Sequence, residues 1–403
     1  MPATQPLLSG VRVLAVEQYG ATPFGTQYLA ELGAEIIKVE QPEDGGDVSR
    51  HVGPHYARGL PETAQSIFFQ GVNFGKKSIT LDLRQAEGRE LFRQLVRGAH
   101  AVASNMRGDV PDKLGITWEH LKNINPAIVC AHLTGYGRGG ERATWPGYDY
   151  LMQAEAGYFS LTGEPDTPPT RMGLSMVDYM TGALMSLGLV SGLVGARASG
   201  VGCDVDVSLY AVALHNLNYV GNWYLNTGTV TGREPRSAHP SLTPCALYRT
   251  ADGWIYLMCN KEKFWAKLCE KIGRTEWIRD PRFVDFPARL AHRHVLTGLL
   301  DGALSERTTN AWMEVFAGTV PAAPIRAVDD ALNAPFAQQD DRIRAIPLPD
   351  GSTLRMLRSP LRTSRGLLDV PPGPAHGANT AEILAEIGVD SARLADLRAR
   401  GVV

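Results

Sequence analysis

Val11-Arg-Val-Leu-Ala-Val16, Pro23-Phe-Gly-Thr-Gln-Tyr-Leu-Ala-Glu-Leu32 and Ala34-Glu-Ile-Ile-Lys-Val-Glu40 follow one another in about thirty residues. The first reads as a short buried strand and the third as a second strand, and the second has the spacing of a helix. Together they predict a βαβ unit. The alternation goes on, with an amphipathic helix over Ala86–Val96, a strand over Ala101–Ser104, a helix over Trp118–Asn123 and a strand over Ala127–Leu133. Alternation of this kind predicts an α/β fold with a largely parallel sheet and helices on both faces. Ligands of such sheets bind beyond the carboxyl ends of the strands. Here those ends fall near Glu17–Ala21, Glu40–Pro42, Asn105–Gly108 and Gly135–Tyr136.

Further on, Asp204–Ser208 has the pattern of one more strand and Leu209–Leu225 that of a single helix. Cys245–Arg249 and Trp254–Met258 flank Asp252-Gly253, a hairpin signal, and Asp350-Gly351 is a second. Helical spacing returns at Phe264–Ile272, Arg293–Leu304 and Asn310–Phe316, and again near the end at Ala381–Glu386 and Arg393–Arg398. With 403 residues the chain exceeds one ordinary core. The expected division is a first part at 1–225, a smaller α+β domain at 226–325 and a last segment at 326–403.

Composition narrows the function. Apolar residues make up 44% and charged residues 20%, as in a soluble globular protein. The 40 basic and 42 acidic residues are well mixed, so no nucleic-acid footprint is present. The N-terminal residues lack a secretory signal pattern. Tyr179 to Ala196 carries no Asp, Glu, Lys or Arg and raises a membrane question. Its glycines, Gly182, Gly188, Gly192 and Gly195, favour a helix packed closely inside a protein, and the expected location is the cytosol. Five scattered cysteines without a Cys-x-x-Cys pair argue for free thiols, and His51/His55 and His292/His294 lack companion ligands for a metal.

Asp178 stands directly before that uncharged run. A carboxylate there loses hydration, which raises its pKa. Two readings stand at this point: a helix cap and a reactive acid. Glu40 ends the second predicted strand, where an acid can bind a ribose, but Gly20-Ala-Thr-Pro-Phe-Gly25 does not supply the glycine pattern of a dinucleotide loop. Neither a P-loop nor a Gly-x-Ser-x-Gly elbow is present. Lys76-Lys77, Asn105-Met106-Arg107 and Lys113 put basic groups at predicted strand ends. They suit phosphate binding or a solvated surface.

Leu29-Ala-Glu-Leu-Gly-Ala-Glu-Ile-Ile-Lys-Val-Glu40, Gly75-Lys-Lys-Ser-Ile-Thr-Leu-Asp-Leu83, Pro168-Pro-Thr-Arg171 leading to Asp178, and His239-Pro-Ser-Leu-Thr-Pro244 add up, in this order, to more than their parts. With Gly377-Ala-Asn-Thr380 and the final Leu397-x-x-x-Gly401-Val402, the chain resembles the class III coenzyme A transferases and the related 2-methylacyl-CoA racemases from about Leu8 to Val403. The resemblance implies a large Rossmann-like domain built from both ends of the chain, a small domain between, and an interlocked homodimer. It implies coenzyme A thioesters as substrates, with no tightly bound cofactor, and Asp178 as the nucleophile. It places coenzyme A contacts at Tyr19, Gly20, Leu81, Arg84, Asn105, Met106, Arg107, Lys113 and Tyr148.

The chain departs from the family at Gln41, where an Arg often meets the nucleotide, and by lacking a glycine-rich lid before His239. The missing lid argues against formyl or oxalyl transfer. Racemases carry a His in a Gly-His-Asp motif, and this chain has Gly147-Tyr148-Asp149. A tyrosine of pKa ~10 is a poor proton shuttle beside a histidine of ~6.5, so transfer is favoured over racemisation, and the intact Asp178 argues against a non-catalytic acyl-CoA-binding role. His215–Tyr224 resembles members acting on C4–C5 dicarboxylates such as succinate, mesaconate, malate or citramalate. Arg171 could pair with a remote carboxylate or belong to a surface loop.

Overall fold

The structure, a computed structural model, describes residues 5–339, 342–366 and 368–403. Its main sheet has six strands: β1 Arg12–Val16, β2 Glu35–Glu40, β3 Lys76–Thr80, β4 Ala101–Ser104, β5 Val129–Thr134 and β6 Asp204–Ser208. The spatial order is β3-β2-β1-β4-β5-β6, and every neighbouring pair is parallel. Val13, Leu14, Ala15, Ile36 and Ile37 have no exposed surface. Such burial on both faces is why apolar residues of these strands stand side by side, as at Val13–Val16 and Ile36-Ile37, rather than alternating. The order reverses between β1 and β4, which opens a crevice at their carboxyl ends.

The long apolar run forms the Met176–Ser199 helix, long and apolar enough to cross a membrane. Its glycines explain its actual place. A Cβ at Gly25 of the Ala21–Glu31 helix would lie 2.3 Å from the Gly182 carbonyl oxygen, and one at Gly182 would lie 2.2 Å from that of Ala21. Gly188 and Gly192 bring the same helix against Val205 of β6 and Val129 of β5. Gly-on-Gly contact therefore sets the starts of the two helices side by side. Leu184, Leu187 and Val194 on the same helix stay exposed.

The polypeptide divides into two compact units. One holds the stretch up to Ala156, Gly173–Leu217 and Gln338–Val403. Its core joins the sheet residues Leu14, Ile37 and Val102 to Ile383, Leu384, Leu397 and Val402 from the chain's end. The last helices, Thr380–Ala385 and Ser391–Ala399, pack there, and the Asp82 N–H donates to the Val402 carbonyl at 2.9 Å. The hairpin expected at Asp350-Gly351 also belongs to this unit, as β10 Ile343–Pro347 paired with β11 Thr353–Leu357.

The other unit holds Gly157–Met172 and Asn218–Ala337. It has an antiparallel sheet of β7 Cys245–Arg249, β8 Trp254–Met258 and β9 Ala322–Pro324, with Trp265, Phe283, Leu300 and Phe316 in its core. The single helix expected at Leu209–Leu225 is instead two, Leu209–Asn216 and Asn218–Thr227. Asn218 takes a positive φ of 42°, which ends the first helix. Asn tolerates that region better than most residues.

Candidate active site

Asp178 lies in the first turn of the Met176–Ser199 helix but does not cap it. The residue at the cap is Ser175, and its side chain makes no capping bond. The acceptor comes from elsewhere. Asp149, buried at the start of the Asp149–Glu155 helix, takes the Asp178 N–H on Oδ2 at 2.9 Å. Its Oδ1 accepts from Gln153 Nε2 at 2.6 Å. One of the helix's unsatisfied N–H groups is thereby served, and the Asp178 carboxyl is left to face outward. Its Oδ2 lies 3.4 Å from where a Cβ would stand at Gly20.

Burial, reinforced by the negative charge of Asp149, raises the Asp178 pKa from 3.8 to about 7. Among the described residues no cation pairs with it. Near neutral pH the group is thus a mixture of acid and carboxylate, and the carboxylate is more basic than an ordinary one.

A cavity of about 660 Å³ opens beside it. Tyr19, Gly20, Asn105, Met106, Arg107, Tyr148 and Asp178 all line this cavity, together with Gln18, Val48 and Trp145, which the sequence did not single out. A second cavity of about 370 Å³ is lined by Leu81, Arg84, Met106 and Gln41, and also by Asp44, Asp47 and Leu83. Gln18, Val48 and Met106 border both, so the two form one trough along the carboxyl edge of the sheet. Lys113 lines neither. It is exposed and ion-paired with Asp109, and Arg107 approaches the same carboxylate at 3.7 Å. Arg84 is held by Asp82 at 2.9 Å, and the Gln41 amide, turned to satisfy both its ends, donates to Asp82 and accepts from Arg84.

The turn between β1 and the Ala21–Glu31 helix is braced from two sides. Asn105 accepts the Gln18 N–H at 2.9 Å and donates to the Gln18 carbonyl at 2.6 Å. That side chain serves the loop that forms the cavity wall. Asp47 accepts the Tyr19 N–H at 2.9 Å.

Beneath the turn lies a buried network of charges. Lys38 pairs with Asp47 at 2.7 Å, Lys76 with Glu17 at 2.6 Å and Arg50 with Glu40 at 2.6 Å. Burial works against the Lys38 charge, but Asp47, Glu17 and Glu40 outweigh it and raise its pKa. For Lys76 burial prevails and lowers its pKa to about 8. The phosphate reading of Lys76-Lys77 is therefore corrected. Lys76 is fully buried on Glu17, and Lys77 bridges Glu35 and Glu382. Glu40, which lines the smaller cavity, is engaged by Arg50 and Ser78.

Arg171 and His239 belong to the other unit. Arg171 is exposed. His239 accepts the Ser241 N–H at 3.1 Å and stacks on Tyr219 at 5.6 Å. Among the described residues no cluster of His, Cys, Asp and Glu is fit to hold a metal, and the five cysteines are free thiols.

The chain matches the model of CoA-transferase family III over residues 8–380. It is 32% identical to a succinate–glutarate CoA-transferase of Agrobacterium fabrum, covering 96% of this chain and 97% of that one. It is 36% identical to an acetyl-CoA:oxalate CoA-transferase of Acetobacter aceti, over 78% of this chain and 79% of the other. Among solved structures, a CaiB/BaiF family protein from Brucella suis superposes with a TM-score of 0.80 at 33% identity, covering 95% of this chain and all of that one.

Proposed function

The chain belongs to CoA-transferase family III and is an acyl-CoA:carboxylate CoA-transferase, and from that premise we propose that Asp178 is its nucleophile. The observation that carries the proposal is a carboxyl group of raised pKa, without a cationic partner among the described residues, facing a cavity beside the starts of two helices. In the first step an Asp178 oxygen attacks the thioester carbonyl. The carbon–sulfur bond breaks, giving a mixed anhydride and the coenzyme A thiolate. The thiolate then attacks the aspartyl carbonyl and expels the donor acid as its carboxylate, leaving an aspartyl-CoA thioester. The acceptor carboxylate attacks that thioester, and the thiolate it releases attacks the acceptor's carbonyl, which frees Asp178.

Each step exchanges one activated acyl group for another, which is the usual gain from a covalent intermediate. The positive ends of the two helices suit the oxyanions that form on the way. The Rossmann-like reading of the large unit fits this layout, with the thioester in the larger cavity and the nucleotide end of coenzyme A in the smaller.

The acids exchanged are read as dicarboxylates. Support comes from the relative named for succinate and glutarate and from Arg107, the one cation lining the larger cavity among the described residues. A guanidinium suits bidentate capture of a second carboxylate. The oxalate-named relative keeps the two-carbon acid within the range to be tested, despite the absent glycine-rich lid. The exposed Leu184, Leu187 and Val194 support a soluble homodimer in which a second copy covers this face.

A panel of acyl-CoA donors against C2–C5 acids, read by mass spectrometry, tests the proposal. Transfer between dicarboxylates is expected, and activity on monocarboxylates alone would refute the substrate reading. Incubation of a 2-methylacyl-CoA in heavy water is expected to give no α-deuterium, since Tyr148 stands where a racemase carries its histidine.

A further inference from the structure

Tyr19 has φ 65°, in the left-handed region that bulky side chains rarely adopt. Its strained peptide leads into Gly20, the residue whose bare Cα faces Asp178. Backbone strain of this kind persists only where surrounding groups hold it, and the holding group is Asp47, 28 residues further on. Oδ1 of Asp47 accepts two N–H groups, from Tyr19 at 2.9 Å and Ser49 at 2.8 Å. Oδ2 is ion-paired with Lys38 at 2.7 Å, and neither side chain has exposed surface. The Asp47 N–H in turn donates to Glu40 Oε2 at 2.8 Å, on the carboxylate that holds Arg50. The carboxylate that bends Tyr19 is thus clamped through both its oxygens and through its own backbone.

We propose that Asp47 is a positioning residue for the transfer reaction: it locks Tyr19 in the left-handed conformation and so sets the Gly20 wall against which Asp178 works. This rests on the reading of Asp178 as nucleophile. Lys38 serves the same end at one remove, by fixing the orientation of the Asp47 carboxylate. Misplacement of a reacting group by about 1 Å can cost about 10²-fold in rate, even when the mutation lies away from the chemistry.

A double-mutant cycle tests the proposal, because glycine reaches positive φ without help. kcat and KM are measured for the wild type, Asp47→Ala, Tyr19→Gly and the double variant, with folding checked by circular dichroism. With Tyr19 present, Asp47→Ala is expected to lower kcat by about 10²-fold while KM for the acyl-CoA changes little. In the Tyr19→Gly background, the same substitution is expected to cost under about tenfold.

Equal losses in both backgrounds, with all four proteins folded, would overturn the proposal and leave Asp47 a structural residue only. If Asp47→Ala does not fold, Lys38→Met is introduced into all four proteins to remove the stranded charge, and the cycle is read by the same criterion. Trapping of a coenzyme A thioester on wild-type Asp178 is run alongside. Its absence refutes the nucleophile, whereas its presence with an additive cycle refutes the positioning role alone.

Discussion

Three buried acids and the half-buried Asp178 lie at the carboxyl edge of the same sheet, and they are treated in opposite ways. Glu17, Asp47 and Glu40 each meet a buried cation at 2.6–2.7 Å. Burial would raise the pKa values of Asp47 and Glu40, but Lys38, Arg50 and the surrounding hydrogen bonds outweigh it and lower both. Among the described residues Asp178 receives no such partner. Its closest charged neighbour is another acid, Asp149, and its pKa rises to about 7. The paired acids hold the loop between β1 and its helix in shape. The unpaired one keeps its electron pairs available. On the proposed reading of Asp178 as nucleophile, the three neutralised acids serve as scaffold and the unpaired Asp178 as reagent.

The largest effect expected from breaking this contrast is on turnover. Asp178→Ala removes the proposed nucleophile, and kcat for acyl transfer should fall by about 10³-fold or more in a steady-state assay. Next in size is the scaffold. Glu17→Ala strands the buried Lys76, and urea unfolding should show a loss of about 3–5 kcal/mol.

A third expectation runs the other way. The folded pKa of Asp178 lies above its ordinary 3.8, so the native state holds this proton more tightly than the unfolded chain. The stability it contributes is present below about pH 4 and lost as pH rises through about 7. Asp178→Asn removes a buried charge that opposes folding, and at pH 8 it should stabilise the protein by about 1–3 kcal/mol, with the gain vanishing near pH 4. The smallest effect concerns Asp149. Asp149→Asn keeps an acceptor for the Asp178 N–H and removes the like charge, so the acid limb of kcat/KM, expected near pH 7, should move down by about one unit or less.

Periodicity made the parallel strands and both hairpins legible, because those elements are decided by neighbours in sequence. Val13–Val16 and Ile36-Ile37 are consecutive apolar residues since both faces of the sheet are covered, and Asp252-Gly253 and Asp350-Gly351 are local turn signals. What escaped was decided at a distance. Lys76 looked like a surface base because its partner, Glu17, lies 59 residues away. Asp178 looked like a helix cap because the true acceptor, Asp149, lies 29 residues before it. The role of Asp47 left no local trace, since a hydrogen bond to a strained peptide has no periodicity. The break at Asn218 was the exception: Asn is a residue that tolerates positive φ, and it sits where the expected helix divides.

The most direct measurement is on the covalent adduct itself. The wild-type enzyme, incubated with an acyl-CoA donor and its free acid and then digested, should yield the peptide containing Asp178 with coenzyme A attached through a thioester. Hydroxylamine should convert that adduct to an aspartyl hydroxamate at Asp178, and the Asp178→Asn variant should give neither product. Active enzyme that transfers coenzyme A with no label at Asp178, or with the label on another residue, would contradict the account.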